Sequence, residues 1–186
     1  MSMIALAVLV LVFAFPVMMY NSLIGRKNAT ENAFSSVDTL LKKRYDLIPN
    51  LVAAVKNYMQ HEKGTLTEIT EMRAKAISPD VSAEEKVALD SKITKALGGI
   101  MVSVENYPNL KADQTFLQLQ RSLNEIEEQI SAARRAYNAT VNDFNNAVEM
   151  FPTSLIAGMM GLSCKSFFTI PQQERQNPDV DKLFKA

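Results

Sequence analysis

The pattern of apolar residues along the chain changes after about residue 22. Residues 3–20 read MIALAVLVLVFAFPVMMY and carry no charge, whereas the remainder alternates apolar and polar positions. At a rise of 1.5 Å per residue, the uncharged run makes roughly 27 Å of helix, which is close to the thickness of a bilayer core. The pattern therefore predicts a membrane-spanning helix followed by amphipathic elements.

The uncharged run has the features of an uncleaved anchor rather than of a signal peptide. No Lys or Arg precedes it, and Met18, Met19 and Tyr20 occupy the end where a cleavable signal carries small residues. The run is also longer than a buried helix of a soluble protein needs to be. The predicted anchor residues are Ile4, Leu6, Leu9, Leu11, Phe13, Phe15, Pro16 and Tyr20.

The cations that follow the anchor predict its orientation. Arg26 and Lys27 come directly after the run, and Lys42, Lys43 and Arg44 follow within the next helical turns. No cation precedes the run. Because basic residues favour the cytoplasmic side of a membrane, the C-terminal part of the chain is predicted to be cytoplasmic.

A heptad of apolar residues predicts one long helix after the anchor. It is expected to run to about Ile77, with a kink at Pro49 as its only interruption. Its stripe consists of Val37, Leu41, Ile48, Leu51, Val55, Tyr58, Ile69 and Met72. Residues 44–51 have two interpretations, packing geometry or a partner site. The contact residues of such a partner site would be Tyr45, Ile48, Pro49 and Leu51.

Two further amphipathic helices are predicted. Ser82 and Glu85 have the spacing of a capping box, and the helix that they begin should end near Tyr107, which precedes a proline. The last helix opens near Asp113 and closes at Pro152. Its heptad comprises Phe116, Leu119, Leu123, Ile126, Ile130, Ala133, Tyr137, Phe144 and Phe151.

Apolar stripes on helices with short connections can be buried only against one another. We therefore expect an all-α fold, in which an N-terminal transmembrane helix continues into a long antiparallel, coiled-coil-like bundle of three to four helices. The predicted domains are residues 1–24 for the anchor and interface, 25–152 for the bundle, with helices at about 25–77, 82–106 and 113–151, and 153–186 for an apolar segment and polar tail.

The apolar segment after Pro152 is too short to span a bilayer. It could cap the bundle, contact lipid or contact a neighbouring subunit, through Leu155, Ile156, Met159, Met160, Phe167 and Phe168. The unequal helix lengths should leave part of the first stripe uncovered. Because tethering to a membrane raises the effective concentration of copies, an uncovered stripe predicts a homo-oligomer.

The chain contains few side chains that are suited to catalysis. The chain has one histidine, one cysteine and zero formal net charge, which predicts no nucleic-acid partner, no metal and no cofactor. His61 shares a helix face with Tyr58 and Glu62, and we interpret it as a solvated side chain rather than a catalytic one. The charged residues from Glu125 to Arg135 are interpreted as the solvated face of the last helix.

Several motifs resemble the LemA family. They are LKKRYDLIPNLV at 41–52, ENYPNLKA at 105–112, ARRAYN at 133–138 and FPTSLIA at 151–157. The resemblance covers most of the chain. It implies a bacterial membrane protein with one N-terminal span and a helical bundle, from a family without an established enzymatic activity and with relatives linked to magnetosome membrane formation. It brings no functional residues with it.

The leading functional prediction is a membrane-anchored structural or scaffold protein that self-associates and organises or shapes the bilayer. The alternative is an adaptor that binds another envelope or membrane protein through the bundle surface. An enzyme would depend on Tyr58, His61 and Glu62 alone, so no enzymatic activity is predicted. The predicted partners are the lipid bilayer and other copies of the chain, and the predicted location is the bacterial inner membrane, crossed once.

Overall fold

A computed structural model describes residues 3–168, apart from the side chains at positions 4–8, 11, 83 and 84. Within that part every regular element is a helix. They are α1 (Met3–Val55), α2 (Lys63–Ala76), α3 (Ala83–Val104), α4 (Pro108–Lys111), α5 (Gln114–Glu149) and α6 (Thr153–Met159), with a 3-10 turn at Gln60–Glu62. The predicted all-α class and the helical bundle are confirmed for these residues.

The two longest helices, α1 and α5, pack side by side in opposite directions. Arg26 donates a hydrogen bond to the Asp143 carbonyl at 3.2 Å, and the Thr30 hydroxyl lies 3.3 Å from the Thr140 carbonyl. The numbers rise along α1 while they fall along α5, as an antiparallel pair requires. This pair of helices forms the main framework of the bundle.

The helix α3 runs beside α1 in the same direction. Asp38 pairs with Lys86 at 2.7 Å, and further along both helices Arg44 donates to the Thr94 hydroxyl at 3.0 Å. The helix α2, which lies between α1 and α3 in the sequence, runs in the opposite direction. The four main helices therefore alternate in direction along the chain, as in an up-down-up-down bundle.

The predicted single helix reaching about Ile77 is corrected, because α1 ends at Val55 and α2 begins at Lys63. Residues 60–65 include no apolar side chain that could continue the stripe. Just before them Met59 is completely buried and closes the end of the core. Reversal of the chain there lets the stripe of α2 pack back onto the bundle, whereas a straight helix would leave that stripe in water.

The capping prediction for α3 is confirmed. The Ser82 hydroxyl accepts a hydrogen bond from the Glu85 amide at 3.2 Å, and the Glu85 carboxylate accepts one from the Ser82 amide at 3.1 Å. Asp113 caps α5 in a similar way by accepting from the Phe116 amide at 2.9 Å. These caps satisfy amides that would lack partners at a helix start.

The core is built mainly from the predicted stripes, and burial of each large apolar side chain contributes about 1.5–3 kcal/mol. The stripe of α1 is covered from Leu23 to Val55, so the uncovered stretch expected on the first helix is not found there. The last heptad position, Phe151, lies outside the core and is exposed. Core residues contributed by α1 and α5 include Val37, Leu41, Ile48, Leu51, Val55, Phe116, Leu119, Leu123, Ile130, Tyr137 and Phe144.

Candidate functional site

The first part of α1 extends beyond the bundle with apolar side chains on its surface. Among the described side chains of α1, Leu23 is the first that is buried. Before it the exposed large apolar residues are Met3, Leu9, Val10, Val12, Phe13, Phe15, Val17, Met18 and Tyr20. Pro16 is exposed as well, whereas the side chains of Ile4, Leu6 and Leu11 lie outside the described residues. In the part of the chain that was described, no helix combines the length and apolarity needed to cross a membrane.

The short helix α6 packs against both α1 and α5 near this end of the bundle. Its inward residue, Ala157, is buried. The helix ends in a Schellman motif, in which the Leu162 amide donates to the Ala157 carbonyl at 3.0 Å and the Gly161 amide donates to the Gly158 carbonyl at 3.1 Å. Gly161 has φ +64°, a left-handed conformation that glycine adopts without a steric penalty.

Two asparagines of α5 hold the extended segment 162–168 against the bundle. Asn145 accepts from the Lys165 amide at 2.8 Å and donates to the Lys165 carbonyl at 2.9 Å. Seven residues earlier, Asn138 makes the same pair of bonds with Phe168, both at 2.9 Å. Each side-chain amide thus substitutes for a neighbouring strand, and the seven-residue spacing puts both on one face of α5.

The ring of Phe168 anchors the end of this segment. It stacks on Phe34 with centroids 6.2 Å apart and meets Tyr137 edge-on at 5.1 Å. The guanidinium of Arg134 lies 5.6 Å from the Phe168 ring centroid, within cation–π range. Of the three environments open to the apolar segment, its last described residue therefore lies against the bundle.

Cys164 lies on the surface beside the end of α5. Its thiol donates to the Glu149 carboxylate at 3.3 Å. This hydrogen bond raises the pKa of Cys164, and desolvation and the Glu149 charge act in the same direction. A protonated thiol is a poor nucleophile and metal ligand.

The other contact candidates in the C-terminal segment differ in exposure. Leu155, Met159 and Phe167 are exposed, whereas Ile156 and Met160 are half-buried. Leu155 and Met159 are four residues apart on α6, so they share one face of the helix. This face and the side chains of Met150 and Phe151, which are also exposed, form an apolar corner between α5 and α6.

Burial around Pro49 favours packing geometry, one of the two interpretations of this stretch, over a partner site. Tyr45, Ile48 and Leu51 have at most 3% of their side chains exposed, so they belong to the core of the bundle. Asp46, Pro49 and Asn50 face solvent in this stretch. The large apolar side chains at 45, 48 and 51 therefore form part of the core.

Pro49 leaves a main-chain carbonyl of α1 free to accept a hydrogen bond from another helix. A proline cannot donate to the carbonyl four residues earlier, which here belongs to Tyr45. The Arg73 Nε group of α2 donates to this carbonyl at 2.7 Å, and its Nη2 atom lies 3.7 Å from the Asp46 carboxylate. The amide that proline removes from α1 is thus replaced by a side chain that docks α2.

We expect Arg73→Ala to lower the free energy of unfolding by about 1–3 kcal/mol, because the Tyr45 carbonyl would lose its donor. In a Pro49→Ala background the restored amide supplies that donor, so the same Arg73 substitution should cost less. Urea denaturation of the four chains of this double-mutant cycle measures the coupling. Equal costs in both backgrounds would contradict the pairing.

The hydroxyl of Tyr45 is buried and has no hydrogen-bond partner among residues 3–168. Burial raises the pKa of Tyr45 to about 12, the positive charge of Arg44 opposes the rise, and the negative charge of Asp38 adds to it. Because the folded pKa is above the unfolded one, ionisation of this residue does not affect the free energy of unfolding below pH 10, and that free energy falls as the pH rises through 12.

Tyr45→Phe should therefore stabilise the protein or leave it unchanged, with a gain of up to about 1 kcal/mol, because an unpaired buried hydroxyl is removed. It should also remove a tyrosine ionisation at about pH 12, which absorbance at 295 nm detects. The matched control is the exposed Tyr58→Phe, which should change stability by less than about 0.5 kcal/mol. A large loss of stability in Tyr45→Phe would show that the hydroxyl has a partner.

A buried charge network joins α1, α3 and α5. Arg44 and Asp90 each have 1% of their side chains exposed, and they form an ion pair. Arg44 also pairs with Glu127, and Arg134 pairs with the second oxygen of Asp90. Two arginines and two carboxylates balance in charge. Burial of such groups is tolerated only when they are paired, so the network fixes how the three helices align.

This network corrects two interpretations made from the sequence. Glu127 and Arg134 are not simply part of a solvated face, because both reach into the bundle. Arg44 is not a surface cation beside the anchor, because it lies in the core. Of the five cations used to orient the chain, Arg26, Lys27, Lys42 and Lys43 remain outside the core.

The other end of the bundle holds the residues with potential catalytic chemistry. His61 is exposed on the 3-10 turn, Tyr58 is exposed before it, and Glu62 is half-buried. A shallow cleft of about 420 Å³ lies nearby, lined by Val52, Lys56, Lys63, Leu66, Thr67, Thr70 and Glu71. Among the described side chains, no group of three or more His, Cys, Asp or Glu could hold a metal ion.

Comparison with known proteins places the chain in a family. The model of the LemA family matches residues 33–181. Protein LemA of Metamycoplasma hominis is 29% identical over 163 residues, covering 88% of this chain and 74% of that protein. Magnetosome protein MamQ 2 of Paramagnetospirillum magneticum is 24% identical, covering 81% of this chain and 65% of that protein. Magnetosome protein MamQ of Magnetospirillum gryphiswaldense is 24% identical, covering 89% and 71%. The family model matches well over half of the sequence, and the chain therefore belongs to the LemA family.

Proposed function

We propose that this protein is a membrane-anchored structural protein, in which α1 is a single rod that joins the bilayer to the bundle. The observation that carries this proposal is the continuity of α1 from Met3 to Val55. Its first part is uncharged and projects beyond the bundle, and its second part supplies the core from Leu23 onward. The two parts share one helix, so a bilayer that holds the first would hold the bundle close to its surface.

The proposed location is the bacterial inner membrane, crossed once, with the bundle on the cytoplasmic side. Arg26 and Lys27 follow the uncharged run and lie outside the core, where they can meet phospholipid headgroups. The magnetosome proteins among the relatives support a role at a membrane. The buried Arg44 does not contribute to this orientation.

The proposal includes self-association in the plane of the membrane. A tether raises the local concentration of copies, and in the described part of α1 the exposed large apolar side chains all precede Leu23. Copies would therefore associate through this projecting part of α1 and not through the covered stripe. Such an assembly could organise or shape the bilayer around it.

Two measurements on the full chain test the proposal. After alkaline carbonate treatment of membranes from producing cells, the protein should stay in the membrane pellet, and its release would contradict the anchor. In a mild detergent, light scattering coupled to gel filtration should give a protein mass of two or more times 20.7 kDa after detergent correction. A monodisperse monomer would remove self-association and leave the anchor untouched.

A second candidate function is that of an adaptor, and the cleft between α1 and α2 favours it. This cleft lies at the end of the bundle away from the projecting part of α1, and Lys56 and Lys63 border its apolar floor. Photo-crosslinking from Thr67, with exposed Val102 as the control position, tests for a partner. Products that contain only this chain would count against an adaptor.

A further inference from the structure

We propose that the apolar corner formed by Met150, Phe151, Leu155 and Met159 is a second membrane contact, inserted into the interfacial layer of the bilayer that holds α1. This inference rests on the proposed function and goes further, because it assigns a lipid-binding surface to the bundle itself. The occupant to which it commits is the headgroup and upper acyl region of a bilayer.

The corner lies at the end of the bundle from which the first part of α1 projects. Arg26 of α1 is bonded to the Asp143 carbonyl of α5, and these helices are antiparallel. Six residues further along α5, Glu149 is therefore level with about Tyr20, since both helices rise 1.5 Å per residue. Tyr20 is the last residue of the run beginning at Met3. The corner lies where α1 enters the proposed membrane.

The corner consists of large, exposed apolar side chains. The exposed fractions are 62% for Met150, 79% for Phe151, 64% for Leu155 and 89% for Met159. No charged residue occurs between Glu149 and Lys165. Soluble proteins seldom keep several large apolar side chains together in water, and such a patch usually marks an interaction surface. Two chain segments that meet at the same end of the bundle are thus both uncharged and apolar.

Charged side chains lie next to the corner, on the side towards the rest of the bundle. Arg26, Lys27 and Lys165 lie one to three helical turns further into the bundle, at the depth where lipid phosphates would be met. The acids at this depth are Glu31, Asp143 and Glu149, equal in number to the cations. Glu31 lies 3.8 Å from Lys27 and 3.6 Å from Lys165, Arg26 donates to the Asp143 carbonyl, and Glu149 accepts the Cys164 thiol hydrogen. An apolar end followed by a charged layer that contains arginine and lysine side chains suits the interface of a bilayer.

The corner would give the bundle a second point of attachment. A single helix leaves a tethered domain free to rotate about its axis and to tilt, whereas a side contact fixes its orientation. The Schellman motif at Gly161 and the asparagine clamps at Asn138 and Asn145 hold α6 rigidly enough to serve this purpose. The bundle would therefore present a constant face to neighbouring copies.

Depth-dependent fluorescence quenching of the full chain tests this inference. In a Cys164→Ser background, Met159→Cys is labelled with a nitrobenzoxadiazole dye, and the protein is reconstituted in vesicles of phosphatidylethanolamine and phosphatidylglycerol. The control label is Val102→Cys, a position on α3 that is 72% exposed and lies at the other end of the bundle. With nitroxide-bearing lipid, the dye at 159 should lose about half of its emission, as expected for a group 5–10 Å below the headgroups, and the dye at 102 should lose almost none.

Each outcome separates this inference from the proposed function. Flotation of the protein with the vesicles without quenching at 159 would overturn the lipid contact and leave the anchor intact. A blue-shifted but unquenched dye at 159 would assign the corner to a second copy of the chain, which also overturns it. Equal quenching at 102 and 159 would indicate unspecific adsorption and overturn the assignment. Failure to float would overturn the anchor, and the inference with it.

Discussion

Asp90→Ala is expected to lower the free energy of unfolding by about 3–5 kcal/mol, because removal of one partner leaves a buried charge uncompensated. Arg44 would remain in the core with Glu127 as its remaining carboxylate, and that carboxylate is 42% exposed. Arg134 would also lose its carboxylate partner. Urea denaturation followed by circular dichroism, with the full chain in one detergent, measures the change.

Two controls distinguish the burial of charge from the loss of any ion pair. Lys111→Ala breaks the pair with Glu105, whose members are more than half exposed, and should cost less than about 1 kcal/mol. Replacing both buried partners, as in Arg44→Met with Asp90→Leu, should cost less than Asp90→Ala alone, because no unpaired arginine remains at position 44. A cost for Asp90→Ala similar to that of the surface pair would contradict the proposed importance of the network.

The second large effect concerns the projecting part of α1. Leu9→Asp combined with Phe13→Asp should move the full chain from the membrane fraction to the soluble or aggregated fraction. Each aspartate in the middle of a span is disfavoured by about 3 kcal/mol, and each lost apolar residue adds about 0.5 kcal/mol. The combined shift is about 7 kcal/mol, more than enough to reverse the distribution. Flotation on a density gradient measures it.

The control for this variant adds the same charge to the bundle. Val102→Asp with Ile77→Asp replaces two exposed apolar residues outside α1 and outside the apolar corner, and should leave the chain in the membrane fraction. The helix content of all variants, from circular dichroism, shows whether the bundle still forms. Continued membrane association of the α1 variant would mean that the segment is not the anchor.

The parts of the fold that were predictable depend on local patterns. The capping box at Ser82 and the start of a helix near Asp113 follow from short-range patterns, and the structure has both. The heptad of α5 was visible because its apolar positions repeat without a gap from Phe116 to Tyr137. The heptad of α1 appeared to continue equally well, but the polar residues 60–65 reverse the chain, and periodicity alone does not register a reversal.

The parts that were not predictable depend on contacts between distant residues. Arg44 looks like a surface cation, because Lys42 and Lys43 precede it, and only the approach of Asp90 from α3 explains its burial. The roles of Asn138 and Asn145 likewise require the segment 162–168 to lie along α5. The seven-residue spacing of these asparagines was the available signal, although it does not name the segment that they bind.

The proposed role requires α1 to be one uninterrupted rod between bilayer and bundle. Amide hydrogen exchange of the full chain in lipid nanodiscs tests this continuity directly. We expect slow exchange throughout the stretch from Met18 to Thr30, which contains the junction between the projecting part and the first buried residues. Rapid exchange within that stretch would show a flexible tether in place of a rod, and would contradict the account.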